Sequence, residues 1–324
     1  MERLPEFALV HPGSVTEAIA RHGGNAEARY LGGGTDLVAN IRRGIDAPKT
    51  LVDITGIASL SGLSFDEGGV TIGAGVSVER IAGDERIKAR YPAIAEAAMS
   101  IAAPAHRAAA TLGGNLCLDT RCVYYNQSEW WRQANGYCLK RKGEVCHVAP
   151  TGNRCHAAFS GDLAPALIAL EAKAVLRGPG GRRKLPLADI YREDGRAHLA
   201  LEPGEMLTRV DVPAPAKSSR SGYEKGRLRD SIDFPLAGVA ASLALGNGKI
   251  ESLLVALTGT NPRPLLVGGL EGLAGRALDD AAFAEIDKAI RKQVQPMRTT
   301  MAAGNYRRHL AGALAEKLLR RLAG

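Results

Sequence analysis

The segment from Leu116 to Ser160 constrains this chain more than any other. It holds all five cysteines, Cys117 at its edge and then Cys122, Cys138, Cys146 and Cys155, and both tryptophans, Trp130 and Trp131. Tyr124, Tyr125 and Tyr137 lie there too, in a chain only 5% aromatic. TLGGNL runs up to it and SGDLAPALIAL leads away from it. A cysteine- and aromatic-rich segment is thus set into a loop of a host fold.

The host is large. A chain of 324 residues exceeds one ordinary core and implies two or three compact units. With 45% apolar and 23% charged residues it has the balance of a globular protein in water. The net charge of +8 comes from Lys and Arg scattered along the chain, with no basic helix or tail, so it reads as solvated surface and not as a nucleic-acid site. Met1 to Phe7 carries charges and a proline with no apolar run behind it, which predicts no signal peptide. No window reaches membrane-spanning length. The expectation is a cytoplasmic protein in a reducing compartment, where thiols bind metal more often than they cross-link.

The first elements form a small βαβ unit. Phe7–Val10 reads as a strand, and Ser14-Val15-Thr16-Glu17 is a capping box opening a helix to about His22, ended by Gly23-Gly24. A second strand, Ala28 to Leu31, runs into Gly32-Gly33-Gly34-Thr35-Asp36, and LVDITGI at 51–57 reads as a parallel strand. Consecutive glycines let backbone N–H groups converge and let a pyrophosphate approach closely, with Thr35 and Asp36 adding a hydroxyl and a carboxylate at the rim. No G-x-G-x-x-G opens a long helix, so this is not the Rossmann fingerprint.

Farther on, VTIGAGVSV alternates as a strand, Val78–Ile81 and Pro92–Ile101 are helical, and Thr111-Leu112-Gly113-Gly114-Asn115 forms a second glycine loop. Asp162 heads a helix followed by a strand, and Leu185–Tyr191 and Ala200–Val212 complete the region. APAKSSRSG at 214–222 reads as a linker. GVAASLAL and IESLLVALTG predict an antiparallel hairpin around Gly246-Asn247-Gly248, and Asp279–Gln293 and Tyr306–Leu322 predict helices.

LGGGTDLV at 31–38, TLGGNLC at 111–117, SGDLAPALIALEA at 160–172 and YEKGRLRDSIDFPLAGVA at 223–240 are similar, in this order, to blocks of the FAD-binding medium subunit of the xanthine oxidase (molybdenum hydroxylase) family. The resemblance implies an α+β FAD-binding fold of the vanillyl-alcohol oxidase and p-cresol methylhydroxylase type, with two subdomains and a C-terminal α/β domain like that of the CO dehydrogenase flavoprotein. The expected divisions are 1–57, 58–215 (with the insertion at about 116–160) and 216–324. It further implies that Arg29, Tyr30, Leu31, Gly32, Gly33, Gly34, Thr35 and Asp36 cradle the FAD pyrophosphate, with Thr111, Gly114 and Asn115 opposite. Two sets of N–H donors around a dianion require no Lys or Arg beside them. Ile101 and the backbone of Leu207 fall near the cofactor, Asp162 accepts from an FAD group, and Lys225 stabilises negative charge on the reduced flavin. Without the resemblance, Asp162 would read as an N-cap and Lys225 as a solvated lysine. Arg227, Arg229 and Asp233 are lesser candidates at the cofactor, with ion pairing as their alternative role.

The insertion departs from the family pattern, separating Asn115 from Asp162 by 47 positions. Cys122, Cys138, Cys146 and Cys155 have 15, 7 and 8 residues between them and no C-x-x-C. Four thiolates at these spacings serve either a tetrahedral zinc, with His147 and His156 as further ligand candidates, or an iron–sulfur cluster. Cys117 reads as an ordinary buried thiol. RCVYYNQSEWWRQANGYC and VCHVAPTGNRC resemble the extra segment of the β subunits of 4-hydroxybenzoyl-CoA reductases. That likeness implies a [4Fe–4S] cluster on Cys122, Cys138, Cys146 and Cys155. It implies a relay from ferredoxin through cluster and FAD to [2Fe–2S] centres on a small subunit and a molybdopterin site on a large one, for reductive removal of a phenolic hydroxyl in anaerobic aromatic degradation. The implied assembly is a dimer of heterotrimers. The competing readings are an FAD subunit of an oxidising hydroxylase of purines, nicotinate or aldehydes, and a zinc-stapled scaffold without redox function.

Overall fold

The structure is a computed structural model that describes residues 4–297 and 302–324. Met1–Arg3, part of the N-terminal stretch expected to lack an export signal, lie outside the described residues.

The chain builds three sheets in sequence order. The first is parallel, with strands β1 (Ala8–Val10), β2 (Ala28–Leu31) and β3 (Thr50–Asp53) in the order β1-β3-β2. Helix α1 (Val15–His22) forms as its local chemistry dictates: Ser14 Oγ accepts from the Glu17 N–H at 3.1 Å, and Gly23, at φ 58°, closes the helix by donating to Ile19 O. Helix α2 (Leu37–Arg42) follows the triple glycine. The strand expected over 51–57 stops at Asp53, because the Asp53 carboxylate caps the next turn by accepting from both the Thr55 N–H and hydroxyl.

The second sheet is antiparallel, with β4 (Leu63–Asp66), β5 (Gly69–Gly73), β6 (Lys173–Gly178), β7 (Gly181–Pro186) and β8 (Met206–Pro213) in the order β4-β5-β8-β6-β7. Between β5 and β6 the chain forms α3 (Val78–Gly83), α4 (Glu85–Arg90), α5 (Pro92–Met99), α6 (Pro104–Ala109), α7 (Leu112–Leu116), α8 (Glu129–Ala134) and α9 (Leu163–Ala169). The alanines of α5 (Ala93, Ala97 and Ala98) have no exposed surface, so neighbouring backbones come close. Ile72, Ile94 and Leu167 are equally buried, each burial worth about 1.5–3 kcal/mol.

The third sheet, β9 (Ser219–Gly226), β10 (Ala237–Gly246), β11 (Lys249–Thr258) and β12 (Leu265–Leu266), is antiparallel in the order β12-β11-β10-β9. The hairpin falls where expected, with Asn247 and Gly248 at φ 52° and 74°. Strand period 2 sets its packing. Val239, Ala241 and Leu243 join the core beneath α10 (Asp280–Gln293) and α11 (Gly304–Ala323), while Ala240 and Ala256 face the α5/α9 side. The expected linker at 214–222 is shorter than read: from Ser219 the chain is already in β9, because pairing with β10 overrides the poor strand propensity of Ser and Gly.

The insertion has one short helix, α8, and is otherwise loops tied to the host. Arg121 and Ala158 exchange backbone hydrogen bonds of 2.7 and 2.8 Å at its neck. Arg132, 1% exposed, donates to the Gln127 and Gly44 carbonyls and pairs with Glu129, fixing α8 against the loop after α2. Arg154 and Arg263 both pair with Glu193, which joins the insertion to the C-terminal unit.

Candidate cofactor-binding site

The two glycine loops meet face to face. A side chain on Gly33 would overlap the Ala109 carbonyl, and one on Gly32 would lie 2.9 Å from Thr111 Oγ1. Gly34, at φ 70°, turns the chain into α2. Among the described residues, the N–H groups of Gly32, Gly33, Gly34 and Thr35 donate to no protein acceptor. Four adjacent unpaired donors are the chemistry an anion cradle needs.

The second loop is used differently. Thr111 caps α7, its Oγ1 accepting from the Gly114 N–H at 3.1 Å. Asn115 Oδ1 accepts from the Leu163 N–H at 3.1 Å and so caps α9. This corrects the N-cap reading of Asp162: it occupies the cap position, but its carboxylate makes no cap bond.

The side chains beside the first loop face away from the cradle. Arg29 pairs with Asp46 at 2.9 Å, and Tyr30 donates to Gly204 O at 2.7 Å while stacking on His22. Both side chains are thus engaged by protein groups, and Leu31 ends β2 with its carbonyl held by Ile54 N–H. Asp36 is not a free rim carboxylate. It pairs with Arg121 of the insertion and accepts from Asn40 Nδ2 at 3.1 Å. The Arg121 guanidinium also donates to Asn40 Oδ1 at 3.2 Å and lies 4.9 Å from the Phe234 ring. Burial lowers Arg121 to about 10, which leaves it charged at neutral pH.

Deeper in, Asp162, Tyr223 and Lys225 form a buried triad. Tyr223 Oη donates to one Asp162 oxygen at 2.5 Å, and Lys225 Nζ donates to the other at 3.0 Å and to the Ser100 carbonyl at 3.1 Å. The Asp162 and Lys225 side chains are 5% and 4% exposed, so Lys225 is not a solvated lysine. Burial pushes the Asp162 carboxyl up from its ordinary value, opposed by the Lys225 cation and the Tyr223 hydroxyl. The Tyr223 phenol is held far above its ordinary value by burial and the adjacent carboxylate. Arg227 also donates to Ser100 O, and Arg229 pairs with Asp233 at the surface. Ile101 is buried, its carbonyl accepting from Arg107 at 3.1 Å. Leu207 is buried in β8 opposite Leu176 of β6.

The four insertion cysteines, all buried and none disulfide-bonded, line one cavity with Tyr124, Tyr125, Leu139, Lys140, His147 and Val148. Burial pushes the Cys155 thiol up to about 12 and also raises Cys122, where the neighbouring thiols add like charge. Cys122 and Cys155 therefore favour the neutral thiol, and a bound metal's charge would be needed to hold these two as thiolates. Among the described residues, no three His, Cys, Asp or Glu side chains are set to hold a single metal ion. His147 Nε2 is 2.5 Å from the Tyr137 carbonyl and its ring packs on Tyr124, while His156 does not line the cavity. Cys117 packs against the main core, its thiol raised to about 12 by burial. Ala157 N–H donates to Cys155 Sγ at 3.4 Å. Lys140 Nζ reaches Asp119 at 2.7 Å and lies 4.5 Å from the Tyr125 ring.

Sequence reading missed Arg121, Asn40, Ser100, Lys140 and Tyr223. Only Tyr223 had a signal, as a neighbour of Lys225 in the matched block.

Residues 5–215 match the family model for the FAD binding domain in molybdopterin dehydrogenase, and residues 222–322 the CO dehydrogenase flavoprotein C-terminal domain. The chain therefore belongs to the FAD-binding medium subunits of the molybdenum hydroxylases, and the fold is that family's α+β FAD-binding domain of the vanillyl-alcohol oxidase type with its C-terminal domain. It is 30% identical to the carbon monoxide dehydrogenase medium chain of Hydrogenophaga pseudoflava, over 97% of this chain and 96% of the relative. It is 31% identical to an aldehyde oxidoreductase FAD-binding subunit of Escherichia coli, over 89% of this chain and 91% of the relative. The reconstituted CO dehydrogenase from Oligotropha carboxidovorans superposes with a TM-score of 0.82 at 26% identity, covering 99% of both chains.

Proposed function

We propose that this chain is the electron-transfer flavin subunit of a molybdenum-containing oxidoreductase, and that its insertion holds a [4Fe–4S] cluster on Cys122, Cys138, Cys146 and Cys155. The convergence of four buried thiols on one cavity carries the second part. A flavin subunit already transfers electrons, and the aromatic and aliphatic lining of the cavity suits a water-shielded cluster better than a redox-inert zinc staple. When bound, FAD exchanges electrons singly or in pairs, and the cluster passes them one at a time.

The chain's own residues set the conditions for both groups. The N–H groups of Gly32–Thr35 take the pyrophosphate, with the Thr111–Asn115 loop closing from the other side. Lys225 presents a cation held in place by Asp162 and Ser100, where it stabilises negative charge on the flavin edge. Ile101 and Leu207 supply buried walls. In the insertion, Tyr124, Tyr125, Leu139 and Val148 exclude water. Lys140 lowers the cost of thiolate charge, and the Ala157 N–H on Cys155 tunes the sulfur.

Two directions of electron flow compete. The relatives above are named for carbon monoxide dehydrogenase and aldehyde oxidoreductase. Those names favour an oxidising complex, in which this subunit receives electrons from a molybdenum site on a large subunit through a small [2Fe–2S] subunit. The reductive reading, with ferredoxin as donor and 4-hydroxybenzoyl-CoA as the dehydroxylated substrate, rests on the insertion's resemblance alone. In both readings the assembly is a cytoplasmic dimer of heterotrimers, and substrate binds on the large subunit. Among the described residues no helix is long and apolar enough to cross a membrane.

Anaerobic mixing of the assembled complex separates the readings. Reduction of flavin and cluster by reduced ferredoxin, followed by dehydroxylation of the CoA thioester, supports the reductive reading. Bleaching of both by an oxidisable aldehyde or purine, with no turnover from ferredoxin, supports the oxidising one. Cys138→Ser and Cys146→Ser should each deplete iron. Full iron and sulfide in both variants would refute the ligand assignment.

A further inference from the structure

The glycine cradle has an electrostatic fault that the insertion repairs. Asp36 stands at the end of the donor run Gly32–Thr35, and an uncompensated carboxylate there would repel the dianion those N–H groups are shaped to take. The chain answers it from 85 positions away, since 121 − 36 = 85. Arg121 pairs with Asp36 and bonds Asn40 Oδ1, while Asn40 Nδ2 holds the second Asp36 oxygen. The Arg121 side chain is 13% exposed, and its backbone is fixed by the two-way pairing with Ala158. Phe234 covers the guanidinium from the C-terminal unit. Loop, insertion neck and third domain thus converge on one cation.

We propose that Arg121 is a positioning residue of the flavin site: it neutralises Asp36 and holds the glycine loop in its FAD-binding form. The insertion is then a working part of the FAD site as well as a thiol cage. This rests on the reading that Gly32–Thr35 take the FAD pyrophosphate, and makes no use of the metal. Because Arg121 acts through Asp36, the two residues are coupled, and a double-mutant cycle reads that coupling.

The test is FAD affinity of the deflavinated full-length chain, by flavin fluorescence titration, for wild type, Arg121→Met, Asp36→Asn and Arg121→Met/Asp36→Asn, with iron content measured alongside. Loss of one charge-assisted contact predicts roughly ten- to hundred-fold weaker binding for Arg121→Met. Asp36→Asn breaks the pair that holds the loop but also removes the repelling charge, so it should weaken binding less than Arg121→Met does, and the double variant should bind FAD more tightly than Arg121→Met. Arg121→Lys, which keeps the charge and loses the fork, should fall between. Unchanged affinity in Arg121→Met, or a double variant as weak as or weaker than the single, overturns the proposal. Gly33→Ala separates the two failures. If it abolishes FAD binding while Arg121→Met does nothing, the loop reading stands and only the role of Arg121 falls. If Gly33→Ala leaves binding intact, the loop reading fails first.

Discussion

Lys225→Met removes the cation hydrogen-bonded to Asp162 and leaves a carboxylate 5% exposed whose side-chain partner, among the described residues, is then the Tyr223 hydroxyl. Breaking a buried pair from one side costs about 3–5 kcal/mol, mostly the penalty of the stranded charge. In a chain of this size that is a fall in thermal midpoint on the order of 10 °C. The stranded carboxyl can escape by taking up a proton, which fixes the sign of the pH dependence. Burial already raises the folded-state value above the ordinary 3.8, and losing Lys225 raises it further. A raised carboxyl contributes stability that is present at low pH and lost as pH rises through the folded-state value. The deficit relative to wild type should therefore be smallest near pH 4 and grow towards pH 8. Asp162→Asn/Lys225→Met should recover most of it, since a neutral amide can still accept from Tyr223. Thermal denaturation of the full chain at three pH values decides the matter. A loss that does not vary with pH, or a double variant less stable than the single at pH 8, would refute the buried-charge account.

Further outcomes follow from single contacts. Gly33→Ala forces a methyl into the Ala109 carbonyl, so the two loops must part; FAD binding should be lost with a destabilisation of roughly 1–3 kcal/mol, read by flavin content and urea denaturation. His198 is buried with Nε2 on the Leu118 carbonyl and a value lowered from 6.5 to about 4 by burial. The unfolded chain takes up that proton first, so roughly 3 kcal/mol of stability is lost as pH falls from 6.5 towards 4. His198→Gln should flatten that slope in acid denaturation; an unchanged slope contradicts the assignment.

What the sequence made legible was local. The capping box at Ser14 and Glu17 and the Asn247-Gly248 turn are settled by residues a few positions apart, and both form as read. Strand β9 was hidden, because Ser219, Ser221 and Gly222 read as linker until β10 pairs with them. Adjacency alone, without the family likeness, makes Asp162 the cap of α9, yet Asn115, 47 positions earlier, supplies it and leaves the carboxylate to Tyr223 and Lys225. That Cys122, Cys138, Cys146 and Cys155 would meet was not written in their spacing, since their convergence on one cavity depends on how loops of 15, 7 and 8 residues fold back. The Arg121–Asp36 pair had no signal at all, since each is an unremarkable charge until the glycine loop and the insertion neck touch.

The central claim is that the insertion adds a second redox centre to a flavin subunit. Iron, zinc and acid-labile sulfide, measured with flavin on anaerobically purified full-length protein, test it most directly. The account predicts about four irons and four sulfides per FAD and no stoichiometric zinc. One zinc without sulfide, or FAD without any metal, would contradict it and leave an ordinary flavin subunit whose four thiols serve structure alone.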